Sequence, residues 1–128
     1  MRDIKFRTWD TVNKRFIHVS LGDLVCGACT NNGDKPLSGY KQVWEQFTGL
    51  YDINGKNIYE GDICSFASKT GKHIGVVEWS DNLASFGLRM VKNNFLYTFS
   101  ELDTMGVNLD TLEVVGNIHE NPELVEEK

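Results

Sequence analysis

The sequence predicts a mainly β protein, a small barrel or sandwich with one or two short helical turns. Residues 4–9 alternate apolar and basic side chains, the period expected of a strand with two different faces. An Asn54-Gly55 pair, which favours a tight hairpin turn, divides the middle of the chain. Beyond this turn, short segments rich in β-branched and aromatic residues are separated by polar turns, a spacing typical of small all-β folds.

Residues 1–47 are predicted to form an N-terminal lobe that packs on the barrel. Residues 4–9 and 15–19 fit two strands, and the polar residues between them join the strands into a hairpin. Residues 22–40 have no periodicity and are rich in Asn and Gly, so we expect a long connection there. Residues 41–47 fit a short strand or a helical turn equally well.

Residues 48–128 are predicted to form the barrel and a short C-terminal extension. Residues 48–51 are expected to pair back on 56–59, because Asn and Gly at the Asn54-Gly55 turn both accept positive φ angles. The last predicted strand is expected to close the barrel. The strands that follow the hairpin cover residues 63–66, 74–79, 86–91, 95–99 and 113–118.

Two short helical turns are predicted from their capping residues. Ser100 has the hydroxyl side chain typical of an N-cap, and Gly106 suits the left-handed residue that follows a helix. Near the end of the chain, Asn121 and Pro122 are the types expected at an N-cap and at the first helical position. Glu123 adds an acidic side chain to that first turn, where the helix dipole favours it.

The composition is that of a folded, soluble protein. With 128 residues, 41% of them hydrophobic, the chain is long enough for a domain that needs neither a metal nor a disulfide. No apolar run approaches the roughly 20 residues of a membrane span, and the charged start is unlike a signal peptide. The 3 cysteines, an odd number, are more typical of reduced thiols than of a disulfide framework. We therefore expect an intracellular protein.

The net charge of −5 is unevenly distributed along the chain. Residues 1–18 carry five basic and two acidic side chains, whereas residues 101–128 carry one basic and eight acidic side chains. An acidic net charge disfavours nucleic-acid binding, since affinity for phosphates depends largely on cationic side chains. The basic N-terminal end is instead expected to meet an acidic C-terminal end, in its own chain or in a neighbouring copy.

Cys26 and Cys29 have the Cys-x-x-Cys spacing of a redox pair or half of a zinc site. A redox pair opens a helix, but the residues that follow Cys29 are typical of a loop. A zinc site needs two further ligands, and the remaining cysteine and the histidines are not paired at ligand spacing. Ordinary thiols are therefore favoured over a metal or redox site.

Three other patterns resemble functional motifs, and each fits a structural role better. Residues 69–73 lack the first glycine and the hydroxyl residue of a phosphate-binding loop, so a hairpin tip is favoured. Asp52 begins a calcium-loop pattern in which the glycine is misplaced and the closing Glu is missing, so its side chain is expected to hydrogen-bond the backbone of the hairpin turn. The histidines accompany no nucleophile or paired-carboxylate signature. The sequence thus predicts no catalytic residue, no cofactor and no metal, and therefore no enzyme.

Basic residues interleaved with aromatic ones give an alternative, a small barrel that binds nucleic acid. Bases of a single strand stack on exposed aromatic rings while cations follow the phosphates, as on other small barrels. The structural interpretation is a hairpin with one core face and one solvated face. The residues predicted as contacts to nucleic acid or to another partner are Lys5, Arg7, Arg15, Lys69 and Lys72.

Three passages together resemble the YopX family of bacteriophage and prophage proteins. The first is KFRTWD at residues 5–10, the second is TGLYDINGKNIYEGDI at residues 48–63, and the third is EVVGNIHENPEL at residues 113–124. The resemblance spans the chain and implies a small β protein with an SH3-like barrel in its C-terminal part. It also implies a phage gene, expressed in the cytoplasm of a host bacterium, but it implies no activity and no catalytic residues.

Fold likeness alone does not assign a function. Exposed barrel strands and oppositely charged chain ends favour a non-enzymatic interaction or assembly protein, expected to be a homo-oligomer. Its other expected partners are host or phage proteins, and no membrane. The alternative function is the binding of nucleic acid in phage DNA metabolism or regulation.

Overall fold

The computed structural model describes residues 4–20 and 44–125, and in that part of the chain the strands form two antiparallel sheets. The N-terminal sheet has the order β2-β1-β3-β4, and the C-terminal sheet has the order β8-β7-β6-β5-β9. The N-terminal sheet contains β1 (Lys5–Asp10), β2 (Arg15–Ser20), β3 (Trp44–Tyr51) and β4 (Asn57–Tyr59). The C-terminal sheet contains β5 (Asp62–Ser68), β6 (Gly71–Ser80), β7 (Ser85–Met90), β8 (Leu96–Thr98) and β9 (Glu113–Asn117).

The predicted mainly β fold is confirmed, and the C-terminal sheet curls into a half-barrel. Strand β9, expected to close the barrel, instead pairs with β5 and lies at the edge opposite β8, so among the described strands this sheet stays open. The SH3-like arrangement stays a prediction. The predicted division between residues 47 and 48 also stays a prediction, and it falls within β3, which pairs with both β1 and β4.

The predicted hairpin at Asn54-Gly55 forms, but its turn differs from the one expected. Strands β3 and β4 pair antiparallel, with Tyr51 opposite Asn57. Gly55 has a φ of +80°, whereas Asn54 is not among the described residues with positive φ, so the expectation for Asn54 is wrong. The carboxylate of Asp52 accepts the N–H groups of Asn54, at 2.9 Å, and Lys56, at 2.8 Å. These bonds hold a longer connection than a two-residue turn.

The first helical turn is α1 (Phe99–Thr104), and its N-cap is Thr98 rather than Ser100. The Thr98 hydroxyl accepts the N–H of Glu101, and the Glu101 carboxylate accepts the N–H of Thr98, which makes a capping box. The predicted role of Gly106 is confirmed, because it follows the C-cap with a φ of +93°. The helix is therefore fixed at both ends by side-chain and backbone bonds.

Two single 3-10 turns flank β9, at Leu109–Thr111 and Pro122–Leu124. Asn121 and Pro122 occupy the predicted N-cap and first positions of the second turn. Among the described residues, no helix is both long and apolar enough to cross a membrane.

The main core lies between the C-terminal sheet and α1. Cys64 is fully buried in this core, and burial raises the pKa of its thiol to about 12, so the group is an inert packing element. Cys26 and Cys29 lie outside the described residues. The core side chains are Ile58, Cys64, Phe66, Val77, Phe86, Leu88, Met90, Phe99, Leu102, Val107 and Leu112.

Candidate functional site

The three passages that resemble the YopX family meet in one buried ionic cluster between the two sheets. Arg7 comes from the first passage, Asp62 from the second and His119 from the third, and Glu45 of β3 joins them. We call these four residues the Arg7 cluster. Arg7 Nε lies 2.9 Å from Glu45 Oε1, Arg7 Nη2 lies 2.8 Å from Asp62 Oδ1, and His119 Nε2 lies 3.0 Å from Glu45 Oε2. Side chains from both sheets are thereby joined.

Aromatic rings enclose the Arg7 cluster. The guanidinium carbon of Arg7 lies 3.9 Å from the ring centroid of Phe16 and 4.7 Å from that of Tyr59. The imidazole of His119 stacks on the indole of Trp9, with centroids 5.1 Å apart and planes 9° apart. Such cation–π and stacking contacts gain strength where water is excluded, as it is around a guanidinium that is nearly fully buried.

Gly61 makes room for the Glu45 carboxylate. A Cβ atom at this position would overlap Glu45 Oε2, and the backbone φ of +83° is one that side chains with a Cβ rarely adopt. Two steric conditions therefore favour glycine at the position before Asp62. The first of them leaves the Glu45 carboxylate room in the Arg7 cluster.

Burial raises the pKa of two carboxyl groups here, Asp62 of the Arg7 cluster and Glu60. It raises the pKa of Asp62, although the Arg7 guanidinium and the Tyr59 N–H favour the ionised form. Burial also raises the pKa of Glu60, and the nearby charge of Glu45 adds to that increase. Within the described ranges, no buried side-chain nitrogen or oxygen lacks a hydrogen-bond partner. The arrangement cross-links two sheets, and its polar atoms are bonded to one another.

An apolar groove opens beside the Arg7 cluster, where the two sheets meet. Trp44, Trp79 and Ile118 line it and are 39%, 43% and 40% exposed. The groove has a volume of about 500 Å³. Its charged lining residues are all acidic: Glu45, Glu60 and Glu78. We call it the tryptophan groove.

A second concavity, of about 510 Å³, lies between the β5–β6 hairpin tip, the loop after β7 and the end of α1. Its floor is mainly apolar, with Phe66, Met90, Tyr97, Leu102 and Val107. Its lip carries two lysines, Lys69 and Lys92, together with the hydroxyls of Ser68 and Thr70. We call it the basic cleft.

The five predicted contact residues do not lie on one surface. Lys5 and Arg15 lie on the N-terminal sheet, where Lys5 Nζ is 5.2 Å from the Phe47 ring centroid. Arg7 is only 5% exposed, so its guanidinium is turned inward rather than toward a partner. Lys69 and Lys72 lie at the β5–β6 tip, which is the predicted hairpin tip.

Sequence reasoning missed Trp44, Trp79 and Lys92. Trp79 ends a predicted strand, and an aromatic residue there fits a core position as well as a surface one. Trp44 lies in the segment for which strand and helical turn were equally favoured. Lys92 lies in a polar turn, where a lysine is ordinary, and only the fold places it in the same cleft as Lys69.

Comparisons with known proteins agree with the resemblance. The chain matches the YopX protein family over residues 5–126. Among solved structures, the crystal structure of protein EF1440 from Enterococcus faecalis is similar, with a TM-score of 0.63 and 25% sequence identity. That match covers 98% of this chain and 100% of the other. No curated protein sequence matches. Since the family match spans nearly the whole chain, the protein belongs to the YopX family.

Proposed function

We propose that the protein is a non-enzymatic assembly module of phage or prophage origin that pairs with a second copy of itself through the tryptophan groove. The observation that carries this proposal is the grouping of Trp44, Trp79 and Ile118, each about two-fifths exposed, in one groove. Tryptophans in a groove with a polar rim are typical anchors of protein interfaces. The groove lies where the two sheets join, so its walls are fixed before a partner arrives.

Charge along β6 supports a second copy as the occupant. Glu78, whose carboxylate also pairs with Arg89 Nε at 2.9 Å, lies at the groove end of this strand, and Lys72 lies near its other end, about 20 Å away at the usual rise of a strand. Within the described ranges Lys72 has no ion-pair partner. A two-fold axis near the middle of β6 would bring Lys72 toward the partner's Glu78, and the reverse, which gives a closed pair of identical contacts.

The non-enzymatic part of the proposal is supported by the Arg7 cluster. Its acidic and basic groups are bonded to each other and packed beneath aromatic rings, an arrangement suited to holding two sheets together. We also propose that the protein acts in the host cytoplasm. The buried, free thiol of Cys64 fits a reducing compartment.

Light scattering after size-exclusion chromatography tests the pairing. The wild-type chain is expected to elute with twice its monomer mass at micromolar concentration. Trp79→Ala removes an anchor of the groove and should raise the dissociation constant of the pair at least about tenfold, as hot-spot truncations do. Lys72→Glu should weaken pairing as well, because it would set two carboxylates against each other.

Leu83→Ala is the matched control. Leu83 is 59% exposed but lies in the turn after β6, outside the groove, so its truncation should leave the dimer mass unchanged. A wild-type monomer at about 100 μM, well above a micromolar affinity, would contradict self-pairing. So would a dimer that Trp79→Ala leaves intact.

Nucleic-acid binding is the second candidate, and the tip of the C-terminal sheet favours it. Lys69, Lys72 and Lys92 are exposed there and, among the described residues, have no ion-pair partner. Binding of a labelled single strand should then weaken steeply with salt, and Lys69→Gln with Lys72→Gln should flatten that dependence. An unshifted strand at low salt would eliminate this candidate.

A further inference from the structure

The basic cleft is divided into an apolar part and a cationic part. Phe66 of β5 and Met90 of β7, whose strands lie on either side of β6, meet Leu102 and Val107 at the end of α1. The carbonyl of Leu102 already accepts the N–H of Val107, at 2.9 Å, so this wall presents carbon rather than unbonded polar groups. The volume of about 510 Å³ lies within the range of small-molecule sites.

The opposite lip carries the charge. Lys69 comes from the β5–β6 tip and Lys92 from the loop between β7 and β8, and both line the cleft. Across residues 4–20 and 44–125 neither lysine has an ion-pair partner, and no acidic residue lines the cleft.

A hydroxyl network fixes the β5–β6 side of this lip. His73 Nε2 lies 2.9 Å from Ser68 Oγ and 2.9 Å from Thr70 Oγ1, and these hydroxyls lie 2.9 Å from each other. The three side chains line the cleft together with Lys69. The lip thus offers both hydroxyl groups and positive charge to a polar head group. Lys69 and Thr70 form the tight two-residue turn of this hairpin.

We infer that the basic cleft binds an amphipathic anion, an apolar chain that ends in a carboxylate. The chain lies on the floor, where Met90 and Met105 adapt to its shape, and the carboxylate lies between Lys69 and Lys92. Two sources carry this chemistry: a free aliphatic carboxylate, and the C-terminus of a protein whose last residue is apolar. The inference does not depend on the tryptophan groove, whose charged lining residues are acidic.

Titration with decanoate, followed by NMR of the methyl groups of Leu102 and Val107, tests this site. Saturable shifts are expected at these methyls, and 1-decanol should bind about tenfold more weakly because it lacks the charge. The double variant Lys69→Gln, Lys92→Gln should bind decanoate about as weakly as wild type binds decanol. Met105→Glu, at a side chain that is 62% exposed, should also weaken decanoate binding by placing a like charge at the cleft.

Lys14→Gln is the matched control. It removes the same charge at another hairpin turn, outside the cleft, and should leave decanoate affinity unchanged. An acetylated peptide ending in Leu, compared with its C-terminal amide, separates the two sources. Tighter binding of the peptide acid than of decanoate assigns a protein C-terminus, and the reverse assigns a free acid.

Three results would overturn the inference. One is the absence of saturable shifts at Leu102 and Val107 with either carboxylate. Another is equal affinity for decanoate and decanol. The third is a shift of the Leu102 and Val107 methyl signals on addition of an oligonucleotide, with no shift on addition of decanoate or the peptide acid. None of these results bears on the mass of the wild-type protein in solution, so self-pairing is judged separately.

Discussion

Gly61 and Asp62 show what the densest stretch of the sequence does at the scale of single residues. Gly61 leaves room for the Glu45 carboxylate, and Asp62 binds the Arg7 guanidinium through one oxygen and the N–H of Tyr59 through the other. A run of glycines and carboxylates resembles a metal or phosphate site. Here these residues shape a backbone turn and neutralise a buried cation.

Asp52 has a similar role on the other side of the hairpin. Its Oδ1 atom accepts two N–H groups within the β3–β4 connection, and its Oδ2 atom accepts the N–H of Val114, at 3.1 Å, in β9. One carboxylate therefore fixes the turn and joins it to the C-terminal sheet. The sequence predicted the bonds within the turn, but not the bond to Val114, which lies 62 residues away.

Replacing Asp52 by Asn is predicted to destabilise the protein by about 1–3 kcal/mol, because charge-assisted bonds to backbone N–H groups are lost. Burial acts to raise the pKa of Asp52, but the N–H bonds from Lys56, Val114 and Asn54 outweigh it, so the pKa lies below its ordinary value. The ionised group thus stabilises the fold at neutral pH, and this contribution is lost as pH falls through the lowered pKa.

Urea unfolding at several pH values checks this prediction. The loss caused by Asp52→Asn should be largest at neutral pH and should shrink in acid. Asp81→Asn, in the exposed turn after β6, is the control and should change the unfolding free energy by no more than about 0.5 kcal/mol. A loss that stays constant down to pH 2 would mean that the charge of Asp52 is not involved.

At the scale of elements, alternation and turn residues predicted most strands, because each signal is local. The exception is β3, whose first half had no decisive pattern. Its strand conformation depends on pairing with β1, where Phe6 lies opposite Gln46, and such a long-range contact is invisible in a short window. For α1 a local signal existed, since Thr98 and Glu101 have the spacing of a capping box.

Thr98 and Ser100 make a direct test of that cap. Thr98→Ala is predicted to destabilise the protein by about 1 kcal/mol, because it leaves the N–H of Glu101 without its hydroxyl acceptor. Ser100→Ala, two positions on, should have an effect within about 0.5 kcal/mol. Thermal or urea unfolding of the two variants measures the difference. If both variants lost the same free energy of unfolding, the assignment of Thr98 as the N-cap of α1 would be contradicted.

At the scale of the whole molecule, the two sheets determine the environment of Arg7. The alternation of apolar and basic residues along 4–9 predicts that the Arg7 side chain lies on the solvated face of the first hairpin. That prediction is wrong, because Asp62 of β5 binds Arg7 on the same face. Arg7 and Asp62 are 55 residues apart, and no local pattern relates them. The sequence thus predicts the sheets well, and it predicts their contact and the two concavities beside it poorly.

The equilibrium unfolding of Arg7→Met in urea tests most directly whether the Arg7 cluster holds the two sheets together. The variant should lose about 3–5 kcal/mol, because Asp62 would remain buried without its cation and Glu45 would keep only its contact with His119. Arg15→Met, on the neighbouring strand with a side chain that is 47% exposed, should lose no more than about 1 kcal/mol. An Arg7→Met protein that unfolds with the free energy of the wild type would contradict the structural role of the cluster.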